Sequence, residues 1–157
     1  IPDWTALDIR LDGTALDLAT AQVISYRREL NLREGYIKRE CQLKLPNRLD
    51  VLVETTRFCH DQQAQLGAVR YSITPLNLPV QLSISPFLDA DPDGETGEVW
   101  QEVSRQNGAA EAYLNLRSNE KNSRYLCAGM RYAIFQDAYK LASDQPESAQ
   151  RFDHYLL

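Results

Sequence analysis

The sequence predicts an all-β fold, an antiparallel β-sandwich, from three observations. Apolar and polar residues alternate with a period of two along most of the chain, as in strands that bury one face. Turn signals such as Asp12-Gly13 separate these segments at intervals of about 8–12 residues. Intervals of that length leave no room for the crossover helices that a parallel sheet requires.

The first half of the chain predicts six strands in order. Glycine readily adopts positive φ, so Asp12-Gly13 predicts a tight hairpin turn and Gly35 ends the turn that starts at Asn31. Pro46 marks a further break. The alternation predicts that Ile37, Cys41, Leu43 and Leu45 share one face of their strand, and that Val51, Val53 and Thr55 share one side of the next. The six strands are Leu7–Leu11, Ala15–Leu18, Ala21–Leu30, Tyr36–Leu45, Leu49–Phe58 and Leu66–Thr74.

The second half predicts four more strands and little else. Asp89 to Gly97 is an acidic loop that contains glycine, and Gln136 to Ala142 is compatible with a short turn of helix. Ser143 to Gln150 is polar, contains a proline and predicts a loop or linker. The predicted strands are Val80–Ile84, Glu98–Arg105, Ala112–Leu116 and Arg124–Phe135.

Length and composition fit a single folded domain. The chain has 157 residues, of which 43% are hydrophobic and 25% charged, as in ordinary globular domains. A net charge of −5 argues against a nucleic-acid partner, because nucleic-acid binders concentrate positive charge on one face. No apolar run approaches the roughly 18 residues that a membrane span needs. The composition alone does not reveal the function.

The three cysteines, Cys41, Cys59 and Cys127, are widely spaced. An odd number without CxxC spacing argues against a disulfide framework and against a zinc knuckle. Cys41 and Cys127 lie within apolar strands, so we expect both to be buried as small hydrophobic side chains. A reducing compartment, and therefore a cytoplasmic location, is the simplest interpretation.

The acidic loop partly matches a calcium-binding pattern. Aspartates at loop positions one, three and five with glycine at six suit a cation that prefers oxygen ligands. Position twelve is Trp100 instead of the bidentate glutamate, with Glu98 and Glu102 on either side, and the flanking segments predict strands. A solvated acidic loop is the favoured interpretation and calcium binding the alternative. The matching residues are Asp89, Asp91, Asp93 and Gly94.

The remaining candidates for catalysis are few. Cys59 and His60 are adjacent, but neighbours in a strand point to opposite faces and cannot easily act as nucleophile and base. His154 is the second histidine, and Arg57 suits an anion or, more commonly, an internal ion pair. The sequence therefore assigns no catalytic, cofactor-binding or metal-ligating residue.

Aromatic side chains offer one route to sugar binding. Their rings can stack on sugars, although packing in the core or in hairpins is the commoner role. The candidates are Trp4, Trp100, Tyr26, Tyr36 and Tyr113.

Several segments, taken in order, resemble the N-terminal domain of glycoside hydrolase family 65. Leu30-Asn-Leu-Arg-x-Gly-x-x-x-Arg39 matches the family pattern LDLR-x-G-x-x-x-R, with Asn31 in place of the usual aspartate. Looser matches occur at Ala112–Leu114 and Ala128–Met130. The resemblance covers roughly residues 2–135. Its other segments are Pro2–Trp4, Leu7–Gly13, Leu16–Leu18, Tyr26–Arg39, Glu54–Phe58 and Ala68–Asn77.

The resemblance implies a function for the longer protein. The family's N-terminal domain is a super-sandwich similar to that of the galactose mutarotases, which agrees with the independent all-β prediction. The family includes maltose, trehalose and kojibiose phosphorylases, in which inorganic phosphate is the co-substrate and attacks the anomeric carbon with inversion. A glutamate of a following (α/α) barrel acts as the general acid, and no metal or other cofactor is required. The implied partners are that barrel, the disaccharide, phosphate and a second copy in a homodimer.

Residues 1–157 are thus expected to form part of one N-terminal β-sandwich domain, incomplete at its start, without the catalytic barrel. The chain begins at Ile1 rather than Met, and ends on two leucines rather than on a polar tail. On this interpretation the chain alone is not an enzyme, whereas the parent protein is. Three alternatives remain open: a free-standing carbohydrate-binding module, the N-terminal domain of a family 65 hydrolase, and a calcium-binding sandwich.

Overall fold

A computed structural model describes residues 3–90, 99–119, 121, 123–136 and 139–140. These residues form twelve strands and no helix, so none of them provides a helix able to cross a membrane. The strands are β1 Asp3–Leu11, β2 Thr14–Ala15, β3 Gln22–Asn31, β4 Tyr36–Lys44, β5 Asp50–Cys59, β6 Gly67–Pro75, β7 Leu82–Asp89, β8 Trp100–Asn107, β9 Glu111–Ser118, β10 Tyr125–Arg131, β11 Phe135–Gln136 and β12 Tyr139–Lys140.

The strands pair into open sheets. One sheet has the order β3-β4-β5-β6, a second β10-β9-β8, a third β2-β1-β7, and β11 pairs with β12. Consecutive strands pair in antiparallel fashion in the first two sheets. The predicted all-β, antiparallel fold class is therefore confirmed, with the open sheets that a β-sandwich requires.

The chain forms two compact units. One contains the described residues of Ile1–Leu7 and Ser85–Leu157, and the other is Asp8–Ile84.

In the unit that contains β8, β9 and β10, alternate side chains along the strands form the core. Leu114 and Leu116 on β9 are 0% and 1% exposed, and Met130 on β10 and Leu88 on β7 pack with them. Trp4 and Trp100 pack against the same cluster. Five buried apolar side chains from three strands, flanked by two indoles, give this unit its stability.

In the Asp8–Ile84 unit, the predicted strand faces are confirmed. Cys41 and Leu43 on β4, and Val51 and Val53 on β5, are each no more than 4% exposed, and Thr55 is buried beside them. Asp12 and Gly13 both have positive φ, which is the type I′ geometry expected of a two-residue hairpin turn. The backbone N–H of Asp12 donates to the carbonyl of Gln81, and its Oδ1 accepts from the N–H of Gln81 at 2.8 Å.

Four predictions of secondary structure are corrected. The predicted strand Ala15–Leu18 is only the short β2, Thr14–Ala15, and the predicted strand Arg124–Phe135 is interrupted, because β10 ends at Arg131 and β11 begins at Phe135. Gln136 lies in β11 and Tyr139 in β12, where Gln136 pairs with Tyr139, so the helical turn at 136–142 is wrong for its described residues. Strand β7 runs on to Asp89 through a buried Pro86, past the predicted end at Ile84. The predicted linker at 143–150 and most of the predicted loop at 89–97 lie outside the described residues.

We predict that Leu114→Ala lowers the free energy of unfolding by about 2–5 kcal/mol, because it leaves a cavity among fully buried side chains. Urea unfolding followed by tryptophan fluorescence measures the change. Leu78→Ala is the matched control, since Leu78 is 55% exposed and its truncation should cost under about 0.5 kcal/mol. Equal losses in the two variants would contradict this assignment of the core.

Candidate functional site

Three of the segments that carry the family resemblance come together in the four-stranded sheet. The segment Tyr26–Arg39 supplies most of β3, the turn after it and the start of β4; the segments Glu54–Phe58 and Ala68–Asn77 supply parts of β5 and β6. In register, Tyr26 lies opposite Cys41, Cys41 opposite Val53, and Val53 opposite Ile73. The candidate site is therefore this sheet, β3 to β6.

Asn31 organises the turn between β3 and β4. Its Oδ1 accepts from the backbone N–H groups of Arg33 at 3.1 Å and Glu34 at 3.0 Å, and its carbonyl accepts from Gly35 N–H. Gly35 has φ +70°, a conformation that disfavours other side chains. Aspartate offers the same oxygen, so the departure of Asn31 from the family pattern keeps the turn's hydrogen bonds.

A second asparagine closes the other end of the sheet. Asn77 accepts from the backbone N–H of Asp50 at 3.0 Å and donates to the carbonyl of Arg48 at 3.0 Å. Arg48 has φ +66°, an uncommon conformation that the bond to its carbonyl helps to fix. The family segment that ends at Asn77 thus ties the end of β6 to the start of β5.

The sheet has one strongly charged face. Arg27 pairs with Glu29 at 3.0 Å, and Lys38 pairs with Glu54 at 3.2 Å. A shallow open depression on this face is lined by Arg27, Glu29, Lys38 and Glu40. Exposed ion pairs of this kind contribute little stability, and the face has the composition of a solvated surface.

The opposite face combines apolar residues with three arginines. Arg28 on β3 lies directly opposite Arg39 on β4, and Arg57 on β5 lies opposite Ile37. Arg57 Nη2 donates to the Tyr71 hydroxyl at 3.2 Å, while the buried Nε of Arg39 has no hydrogen-bond partner in the described part of the chain. We call the set Tyr26, Arg28, Leu30, Ile37, Arg39 and Arg57 the arginine face.

Of the three arginines on this face, the sequence alone points only to Arg57. The available signal was alternation: Arg28 has the parity of Tyr26 and Leu30, and Arg39 that of Ile37 and Cys41. The register is needed to show that Arg28 and Arg39 are neighbours.

The cysteines differ in environment. Cys41 is 2% exposed, as predicted, whereas Cys127 is exposed and its predicted burial is wrong. On β10 the less exposed positions are those of Leu126, Ala128 and Met130, which leaves Cys127 on the outer side. Burial raises the pKa of the Cys41 thiol, and the charge of Arg39 opposes part of that rise.

His60 stabilises a loop. Its Nδ1 accepts from the backbone N–H groups of Gln62 and Gln63, each at 3.2 Å, and Asp61 Oδ1 lies 3.3 Å from the same nitrogen. With Nδ1 used as an acceptor from two amides, this histidine has a structural role at the end of β5. The structure gives Cys59 and His60 no mutual hydrogen bond among the described residues, and His154 lies outside them.

Most of the candidate calcium loop also lies outside the described residues, including Asp91, Asp93, Gly94 and Glu98. Of its flanking acids, Glu102 forms an ion pair with Arg105 at 2.8 Å. Within the described part of the chain, no group of three or more His, Cys, Asp or Glu residues could hold a metal ion.

The aromatic candidates for sugar stacking do not form one platform. Trp4 and Trp100 pack against the core of their unit. Tyr36 is partly buried, and its hydroxyl accepts from Asn31 Nδ2 at 3.3 Å. Tyr113, 42% exposed, covers Gly129 of the neighbouring strand, where an added Cβ would lie 3.0 Å from its ring. Tyr26, 53% exposed, lies on the arginine face.

Comparison with known proteins agrees with this picture. The chain matches the family described as "Glycosyl hydrolase family 65, N-terminal domain" over residues 1–155. It is similar to kojibiose phosphorylase of Halothermothrix orenii, with 25% identity over 82% of this chain and 17% of the relative. It is also similar to alpha,alpha-trehalose phosphorylase of Thermoanaerobacter brockii, with 18% identity over 94% of this chain and 20% of the relative.

A third relative is maltose phosphorylase of Bacillus subtilis, with 21% identity over 75% of this chain and 16% of the relative. The chain therefore spans a fifth or less of the length of these three proteins. Fold and comparisons define an all-β domain of the kind found at the start of longer carbohydrate-active enzymes. The chain belongs to the N-terminal domain family of glycosyl hydrolase family 65.

We predict that Asn31→Ala lowers the free energy of unfolding by about 1–2 kcal/mol, because two turn amides lose their acceptor. Asn31→Asp keeps that acceptor and should stay within about 0.5 kcal/mol of the unaltered chain. Urea unfolding of the three proteins provides the comparison. A loss in the aspartate variant as large as that in the alanine variant would contradict the proposed role of the side-chain oxygen.

We predict that Cys41 makes the chain less stable in alkali. A raised pKa in the folded state means that the unfolded chain loses the thiol proton first, so unfolding becomes easier as pH rises above the ordinary value of 9.0. Between about pH 8 and about pH 10.5, the unaltered chain should lose more stability than Cys41→Val. Equal losses would refute the prediction.

In the folded chain, iodoacetamide should modify the exposed Cys59 and Cys127 before Cys41.

Proposed function

We propose that this chain is the non-catalytic N-terminal β-sandwich portion of an inverting disaccharide phosphorylase. The match to the family domain over residues 1–155 carries the proposal, and all three relatives described above are named as phosphorylases. The proposed reaction of the whole protein converts an α-glucoside and inorganic phosphate into β-glucose 1-phosphate and glucose. Supporting the catalytic barrel is the proposed task of this domain.

The structural roles of the polar side chains support a non-catalytic function for this domain. Asn31 and Asn77 satisfy turn and loop amides, and His60 accepts from two more. Trp4 and Trp100, the largest candidates for sugar stacking, pack against a core. These residues are engaged in holding the domain together, which is what a supporting domain requires.

The chemistry is accordingly assigned to the following catalytic domain. There a glutamic acid would protonate the leaving glycosidic oxygen while phosphate attacks the anomeric carbon from the opposite face. Phosphate takes the place that water has in an inverting hydrolase. As the family resemblance implies, the proposed reaction uses no metal or organic cofactor. A cytoplasmic homodimer, with phosphate and disaccharide as its small-molecule partners, completes the proposal.

The test uses the intact polypeptide that carries this domain. We predict release of β-glucose 1-phosphate from maltose, trehalose or kojibiose only when inorganic phosphate is present, as measured by coupled assay and by NMR of the anomer. The 157-residue chain alone is the control and should give no turnover. Release of free glucose alone, at the same rate without phosphate, would assign the protein to hydrolysis and overturn the proposed reaction.

A further inference from the structure

The two faces of the four-stranded sheet differ in how their charges are balanced. The charged face carries four cations and four carboxylates, namely Arg27, Lys38, Lys44, Arg70, Glu29, Glu40, Asp50 and Glu54. On the opposite face, strands β3 to β6 place Arg28, Arg39 and Arg57 but no aspartate or glutamate. Three positive charges therefore share a surface on which the sheet provides no counter-charge.

The position of Arg39 makes that imbalance costly. It is directly opposite Arg28, and like charges in opposed cross-strand positions repel each other. Its Nε is buried and has no hydrogen-bond partner among the described residues, although a buried donor normally has one. Leaving such a donor unsatisfied costs free energy.

Arg57 likewise has no carboxylate partner among the described residues. Arg57 donates to the neutral hydroxyl of Tyr71. In the described part of the chain, the ion pairs of other arginines involve Arg10, Arg27, Arg105 and Arg131. Within those same ranges none of the three arginines of the arginine face has a carboxylate within 4.0 Å.

Apolar residues accompany these arginines. Tyr26 and Leu30 on β3 are 53% and 59% exposed, and Ile37 beside them is partly buried. Tyrosine and arginine are enriched at the centres of protein interfaces. The planar guanidinium fork matches a carboxylate with two parallel hydrogen bonds, so this surface suits an acidic protein segment with some apolar contact area.

We propose that the arginine face is a docking surface for a carboxylate-bearing segment of the catalytic domain. The proposal rests on the proposed function, which provides that domain. A second copy of the chain is disfavoured as the occupant, because a two-fold contact through this face would bring arginines against arginines. In the assembled protein, the segment's carboxylates pair with Arg28 and Arg39, and its apolar side chains cover Tyr26 and Leu30.

The test compares the Arg28→Met/Arg39→Met variant in two settings, the 157-residue chain and the intact polypeptide. Methionine keeps much of the side-chain volume and removes both charges. In the 157-residue chain the substitution relieves repulsion, so the melting temperature should rise or stay constant. In the intact polypeptide the same substitution leaves buried carboxylates unpaired, so the melting temperature of this domain should fall by roughly 5–10 °C. A change of the same sign and size in both settings would overturn the proposal.

The matched control is Arg27→Met/Arg70→Met on the charged face. It removes the same number of arginines but none from the proposed interface, so its small effect should be the same in both settings. Inorganic phosphate provides a further arm. If phosphate alone stabilised the 157-residue chain, and this effect vanished in Arg28→Met/Arg39→Met, the face would be a small-anion site and the docking proposal would be wrong.

Hydrogen exchange keeps the proposal testable if the double variant does not fold. In the unaltered proteins, amides of residues 26–39 should exchange at least about tenfold more slowly in the intact polypeptide than in the 157-residue chain. Identical exchange would contradict docking at this face. Neither measurement depends on turnover, so a protein that hydrolyses its substrate would disprove the phosphorylase reaction while leaving the docking result intact.

Discussion

The register of β4 against its two neighbours is the constraint on which the four-stranded sheet depends. Cys41 faces both Tyr26 and Val53, and this alignment assigns every side chain of the sheet to one face or the other. A shift by one residue would exchange the faces and bring Glu40 to the side where Val53 is buried. The turn held by Asn31 sets the alignment with β3, and the bonds of Asn77 hold the start of β5 near the end of β6.

Three of the family segments therefore build much of this sheet. Gly35, Asn31 and Asn77 stabilise turns and loops. The alternating residues of these segments form a buried face that also carries the three arginines near the turn between β3 and β4. A domain built in this way can position a neighbouring domain without taking part in bond cleavage. The arginine face, where the sheet leaves positive charge without compensation, is the surface that links the structure to the proposed function.

Local chemistry made much of the fold predictable. Positive φ at Asp12 and Gly13 follows from the turn dipeptide, and the burial of Val51, Val53 and Thr55 follows from alternation. The predicted end of β7 at Ile84 is too early, since the strand continues through the buried Pro86, although prolines are uncommon inside strands. The exposure of Cys127 was missed because an apolar-rich strand does not show by composition which of its sides faces the core. The candidate site was less accessible, since the meeting of Arg28 and Arg39 depends on register between strands.

Strand β3 forms one edge of its sheet, with its side chains largely exposed. Consecutive charges at Arg27, Arg28 and Glu29 place ions on both sides of this edge, and a bulge between Val23 and Ser25 interrupts the ladder. Charged and bulged edges resist pairing with the edges of other molecules. The edge strand β3 therefore disfavours indiscriminate edge-to-edge polymerisation. The side chains on the faces of the sheet remain available for a selective partner.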